Sequence, residues 1–139
     1  MTSTAIIYST SIGKHVEAAA KYLAQQSGAD TFNLKDQTRI DISRYDRIVL
    51  GTGVHAGKPY KPLMSWAEAN KEALAGKQTV LFICCLYKGE RAKAELDKIK
   101  ASMPVEFGKD DFSAFFPDKD EQKDGVGISM AAFAEKLRS

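Results

Sequence analysis

Thr79-Val80-Leu81-Phe82-Ile83-Cys84-Cys85-Leu86 is the most continuous apolar run in the chain. It shows none of the alternation of a strand with one wet face, so it reads as a strand buried on both sides, as in a parallel sheet covered by helices. The flanks agree. Upstream, Leu63, Ala67, Asn70 and Leu74 share one helical face and Gly76 follows as a stop; downstream, the loop Tyr87-Lys88-Gly89 leads into a helix. That helix buries Ala92, Leu96, Ile99 and Met103 and turns Glu90, Arg91, Lys93, Glu95, Asp97, Lys98 and Lys100 mostly to water, with Pro104 ending it.

Working outward, Tyr45 to Gly51 reads as a third strand that opens into a loop, Thr52 to Pro59. At the start of the chain, Ala5-Ile6-Ile7-Tyr8 is a buried strand and Ser9 to Gly13 is turn chemistry. A helix follows from Lys14, with Val16, Ala19, Ala20 and Leu23 inward and Gly28 as its stop. Thr31-Phe32-Asn33-Leu34 is a second strand, and the polar stretch from Lys35 to Arg44 leaves room only for an irregular crossover or a single turn. The fifth strand falls within Val105 to Pro117, with Phe112 to Phe116 favoured over Val105-Glu106-Phe107. Asp118 to Gly125 is a charged loop, and Val126, Met130, Phe133 and Leu137 space out a terminal helix.

Strands alternating with helices predict a doubly wound α/β fold: a five-stranded parallel sheet in the order 2-1-3-4-5 with helices on both faces. The order reverses beside strand 1, so ligands are expected beyond the strands' carboxyl ends, between the loops after strands 1, 3 and 4. The length of 139 residues fits one domain, 1–139. With 20 Lys and Arg against 18 Asp and Glu, the net charge of +2 gives no reason to expect nucleic acid. No stretch has the length of a membrane helix, and the N-terminus lacks the basic region of a signal peptide. The two cysteines are adjacent and close no loop, so a reducing, cytoplasmic setting is expected.

The first loop, Ser9-Thr10-Ser11-Ile12-Gly13-Lys14-His15, sets three hydroxyls and a glycine before a helix. Unpaired amides at a helix start suit a phosphate, and Lys14 and His15 add positive charge. The alternative is that Ser-Thr-Ser only caps the helix. It is not a triphosphate P-loop, because the first glycine of that motif is missing and His15 stands at the Ser/Thr position. In the second loop, Thr52-Gly53-Val54-His55-Ala56-Gly57, the glycines let backbone approach a flat ring, while His55 reads either as a stacking group or as a solvent histidine. The third, Cys85-Leu86-Tyr87-Lys88-Gly89, offers amides and an aromatic face. Trp66 reads as a packing residue of its helix.

Ile7-Tyr8-Ser9-Thr10-Ser11-Ile12-Gly13 resembles the flavodoxin pattern of a hydrophobic strand followed by Ser/Thr-x-Thr-Gly-x-Thr, the loop that holds the FMN phosphate. Tyr45 to Gly51 is similar to the third strand of that family, which precedes a loop that touches the flavin ring. The resemblance spans about residues 5 to 100. It implies a flavodoxin-like fold, FMN as cofactor, electron transfer or small-molecule redox chemistry, and a redox partner protein or small-molecule substrate. The residues it assigns to FMN are those of the three loops, Ser9 to His15, Thr52 to Gly57 and Cys85 to Gly89; no metal and no catalytic side chain is implied. The pattern is nearest to the flavodoxin domain of menaquinone-dependent protoporphyrinogen oxidases. The stretch after Pro104 is too short for the long insertion that often accompanies that branch, which argues against porphyrin chemistry. His15 and Ile12 depart from the phosphate loop, so a binding module with a decayed flavin site is the first alternative.

A second alternative lies in the third loop. Cys85 and Arg91 have the C-x5-R spacing of a phosphatase anion loop, in which a thiolate attacks phosphorus and a guanidinium holds its oxygens. Ala92 stands where such loops carry Ser or Thr. A signal-receiver domain shares the strand order but needs acidic residues where this chain has Ser9-Thr10-Ser11 and Leu50-Gly51-Thr52.

Overall fold

The computed structural model describes residues 3–10, 14–108 and 110–138. Ser11, Ile12 and Gly13 of the first loop lie outside the described residues. Strand β1 (Thr4–Tyr8) leads to helix α1 (His15–Ser27), which Gly28 closes in the left-handed region at φ 78°. Strand β2 (Asp30–Asn33) is followed by an irregular crossover to β3 (Arg47–His55), which turns back through β4 (Lys58–Pro59). Helices α2 (Lys61–Ala69) and α3 (Lys71–Leu74) precede β5 (Gln78–Cys85), then come α4 (Gly89–Ser102) and β6 (Ala114–Pro117). A small hairpin, β7 (Gln122–Lys123) and β8 (Val126–Gly127), leads into α5 (Ile128–Leu137).

The parallel strands lie in the order β2-β1-β3-β5-β6, the expected topology. Val80, Leu81, Phe82 and Ile83 are fully buried because both sheet faces are covered. On one face, Val16, Ala19, Ala20 and Leu23 of α1 and Phe133, Ala134 and Leu137 of α5 pack against Ile6, Val49 and Phe82. On the other, Leu63, Trp66 and Ala67 of α2 and Ala92, Leu96 and Ile99 of α4 pack against Ile7, Leu50 and Ile83. Trp66 is a packing residue, as its helical position indicates.

Three expectations need correction. Thr52 to His55 is not loop but a continuation of β3, paired to β5 through Thr52↔Ile83 and Gly53↔Cys84. The chain then reverses over Ala56 and Gly57, whose φ values of 52° and 75° are the paired positive angles of a tight hairpin turn. The helical run from Pro62 to Leu74 breaks at Asn70, whose side-chain amide donates to the Trp66 carbonyl at 2.8 Å and ends α2. The charged loop 118–125 contains β7, and the terminal helix starts at Ile128 rather than at Val126.

The edge of the sheet is fixed by a half-buried ion pair. Asp111 meets Lys100 and accepts the Ser113 backbone N–H at 2.9 Å, while Ser113 Oγ takes the Leu81 N–H at 2.9 Å just before β6 begins. Burial pushes the Asp111 carboxyl up, but hydrogen bonds from Lys100 and Ser113 and the Lys100 charge outweigh it and hold the carboxyl below its ordinary value. A depressed carboxyl contributes stability that is present above the unfolded value of about 3.9 and lost as pH falls through the folded one. Asp111→Asn is therefore expected to cost about 2 kcal/mol at neutral pH. Urea unfolding should show that difference shrinking below pH 4; a gap independent of pH would contradict the assignment.

Candidate functional site

All five parallel strands end at one edge, and there the chain forms a cleft of about 750 Å³. This lies within the ~300–1,000 Å³ of ordinary small-molecule sites. One wall is the β3–β4 hairpin, with Gly53, Val54, Ala56, Gly57 and Tyr60; the facing wall is the end of β5 and its loop, with Cys84, Cys85, Leu86 and Tyr87. His15 at the start of α1 also lines the cleft. These are the three loops expected from the topology.

Not every candidate residue reaches the cleft. Thr52 is fully buried; its hydroxyl donates to the Gly53 carbonyl at 2.8 Å and accepts the Tyr60 N–H at 2.9 Å, so it pins the hairpin to the start of α2. His55 is exposed on the hairpin and does not line the cleft, the solvent alternative of the two open in the sequence. Ser9, Thr10, Lys14, Lys88 and Gly89 lie behind or outside the lining. Ser9 is buried and donates its backbone N–H to the Gly51 carbonyl at 3.0 Å. Lys14 is the N-cap of α1 and makes no side-chain capping bond.

A fourth wall was not expected. Phe116, Pro117, Asp118 and Asp120, with Gly125 to Gly127 of the hairpin after β6, also line the cleft. The Asp120 carboxylate accepts the Ser129 N–H at 2.8 Å and so caps α5, and the Asp118 N–H bonds the Cys85 carbonyl at 2.8 Å. The first ties this wall to α5 and the second ties it to the end of β5. His15 Nε2 stands 3.7 Å from Asp118 Oδ1. Glu95, placed in water by the helical pattern, is half-buried and lines the cleft from α4.

The surroundings of the two thiols do not favour thiolates. The Cys85 Sγ–H donates to the Tyr87 carbonyl at 3.3 Å, and burial pushes its pKa up, with the nearby Glu95 adding to the effect. Burial, then Cys85 and Asp118, pushes Cys84 up to about 12. The Arg91 guanidinium lies 3.7 Å from the centre of the Tyr87 ring, stacked on an aromatic face. A phosphatase loop needs a stabilised thiolate; burial works against one at Cys85 and Arg91 is stacked on Tyr87, so the structure does not favour that reading. Among the described residues no group of three or more His, Cys, Asp or Glu side chains could hold a metal ion.

Residues 5–123 match the flavodoxin domain family. The chain belongs to that family. The α/β fold is flavodoxin-like, and the solved structures it resembles have the same architecture. A WrbA-like flavodoxin from Agrobacterium tumefaciens is 13% identical with a TM-score of 0.66, over 99% of this chain and 96% of that one. A flavoprotein in complex with FMN from Lactobacillus acidophilus NCFM is 14% identical with a TM-score of 0.60, over 83% of this chain and 93% of that one. The Flv1 flavodiiron core from Synechocystis sp. PCC6803 is 14% identical with a TM-score of 0.69; it is matched over 99% of this chain but only 34% of its own. No curated protein matches.

Proposed function

We propose that this flavodoxin-family chain binds FMN in the cleft and serves in cytoplasmic electron transfer or small-molecule redox chemistry. The observation that carries the reading is the slot at the topological switch point, framed by the loops after β1, β3 and β5. Its residues fit the group. A glycine-bearing hairpin and Tyr87 both line the cleft, and the start of α1, where His15 lines it, is where a phosphate would sit.

In this reading the hairpin Gly53 to Gly57 and the loop Cys85 to Gly89 hold the ring between them, and Ser9 to His15 hold the phosphate. FMN supplies the electron transfer; the protein orients it, excludes water and sets its surroundings. Leu86, with 79% of its surface exposed, stands at the cleft rim where a partner or substrate would approach. No described helix is long and apolar enough to cross a membrane. The cytoplasmic setting rests on two free, adjacent thiols.

The protoporphyrinogen oxidase pattern is the finer part of the proposal, and the short β7–β8 hairpin where that branch often carries a long insertion favours a flavin domain without a porphyrin site. The near-neutral charge sets the chain apart from strongly acidic electron shuttles. The test is direct. Purified protein should be yellow, or should quench the fluorescence of added FMN with micromolar affinity or better, and a colourless protein that leaves FMN fluorescence untouched would overturn the assignment.

A further inference from the structure

The fourth wall brings negative charge to the end of the cleft where the proposed FMN phosphate would lie. Asp118 lines the cleft from β6's end, with its side chain 39% exposed, and the imidazole of His15 faces it at 3.7 Å from α1. The other charged groups here differ in their commitments. Asp120 is tied to the Ser129 N–H of α5, Lys88 donates to the Lys119 carbonyl at 3.3 Å, and Lys14 is exposed at the start of α1. Among the described residues Asp118 is tied by its backbone N–H to the Cys85 carbonyl and faces His15, and its partly exposed carboxylate lines the cleft.

Resting on the FMN reading above, we propose that Asp118 is a specificity-determining residue that weakens the site's preference for phosphorylated over unphosphorylated flavin. A phosphate brought to the first turn of α1 meets the helix dipole and Lys14, which favour it, and the Asp118 carboxylate, which repels it and competes for His15. Riboflavin carries the same ring and no phosphate. Its binding is blind to Asp118. The residue therefore acts on the cofactor's tail and not on its ring.

The experiment compares FMN and riboflavin on the wild-type chain, on Asp118→Asn and on Asp118→Glu, by quenching of flavin fluorescence at low and high salt. Asp118→Asn should bind FMN about tenfold more tightly with riboflavin affinity unchanged, and the gain should shrink as salt screens the charge. Asp118→Glu should keep the wild-type preference, separating charge from packing. If Asp118→Asn leaves the ratio of the two affinities unchanged, or raises both alike, the proposal is overturned while the FMN reading stands. If the wild-type chain binds neither flavin, both are overturned. Circular dichroism of each variant accompanies the titrations, and Asp118→Glu supplies a folded comparison that carries the same charge.

Discussion

Replacing Phe82 by alanine is expected to destabilise the protein by about 3–5 kcal/mol, a large part of the ~5–15 kcal/mol that holds a domain of this size together. The ring is fully buried in the middle of β5. It stacks on Phe116 with centroids 5.1 Å apart and meets Phe133 edge-on at 6.1 Å, so it joins the sheet's edge strand to α5. Beneath it lies Gly51, its register partner on β3, where any Cβ would collide with the Phe82 ring. Removing the ring leaves a cavity walled by backbone on one side and by two other rings on the other, and neither can collapse into it cheaply. Urea unfolding should show a lower midpoint at an unchanged slope. Gly51→Ala should also destabilise alone, yet cost less when Phe82 is already alanine, because the space it needs is then free; additive costs would mean that the two sites do not share that space.

This pairing explains why the centre of the fold was legible. A strand buried on both faces has no polar positions, and Thr79 to Cys85 displays that plainly. The helical stripe Ala92, Leu96, Ile99 was equally clear, since α4 covers a flat face. Legibility failed where short elements serve the site. Gly53 reads as a loop residue because glycine is rare in strands, but here it is a strand residue that makes room for Tyr60. The fourth wall escaped because its strands are two residues each and its composition is charged. Its signal was present in Asp124-Gly125, whose φ values of 56° and 80° form the tight turn that this dipeptide favours. Glu95 was placed in water because carboxylates usually are. Its position between Ala92 and Ile99 on the stripe was the sign that it faces inward.

The same glycine gives the sharpest test of the cleft. A Cβ on Gly53 would overlap the Tyr60 hydroxyl and lie 2.5 Å from Cζ, too close for any side chain. Tyr60 cannot withdraw with its backbone, because its N–H is bound to the buried Thr52 hydroxyl and its neighbour Lys61 begins α2. In Gly53→Ala the Tyr60 phenol is therefore expected to move into the cleft that Tyr60 lines. If FMN binds there, its affinity should fall about 100-fold, roughly 2.7 kcal/mol, with much less effect on thermal stability. Shortening the obstructing side chain should undo the damage, so Gly53→Ala with Tyr60→Ala should recover most of the affinity that Gly53→Ala loses. Flavin fluorescence titration reads both variants. Tight FMN binding by Gly53→Ala would place the cofactor elsewhere, whereas loss without recovery in the double variant would mean that Tyr60 itself contacts the flavin or that the strand, not the phenol, had been disturbed.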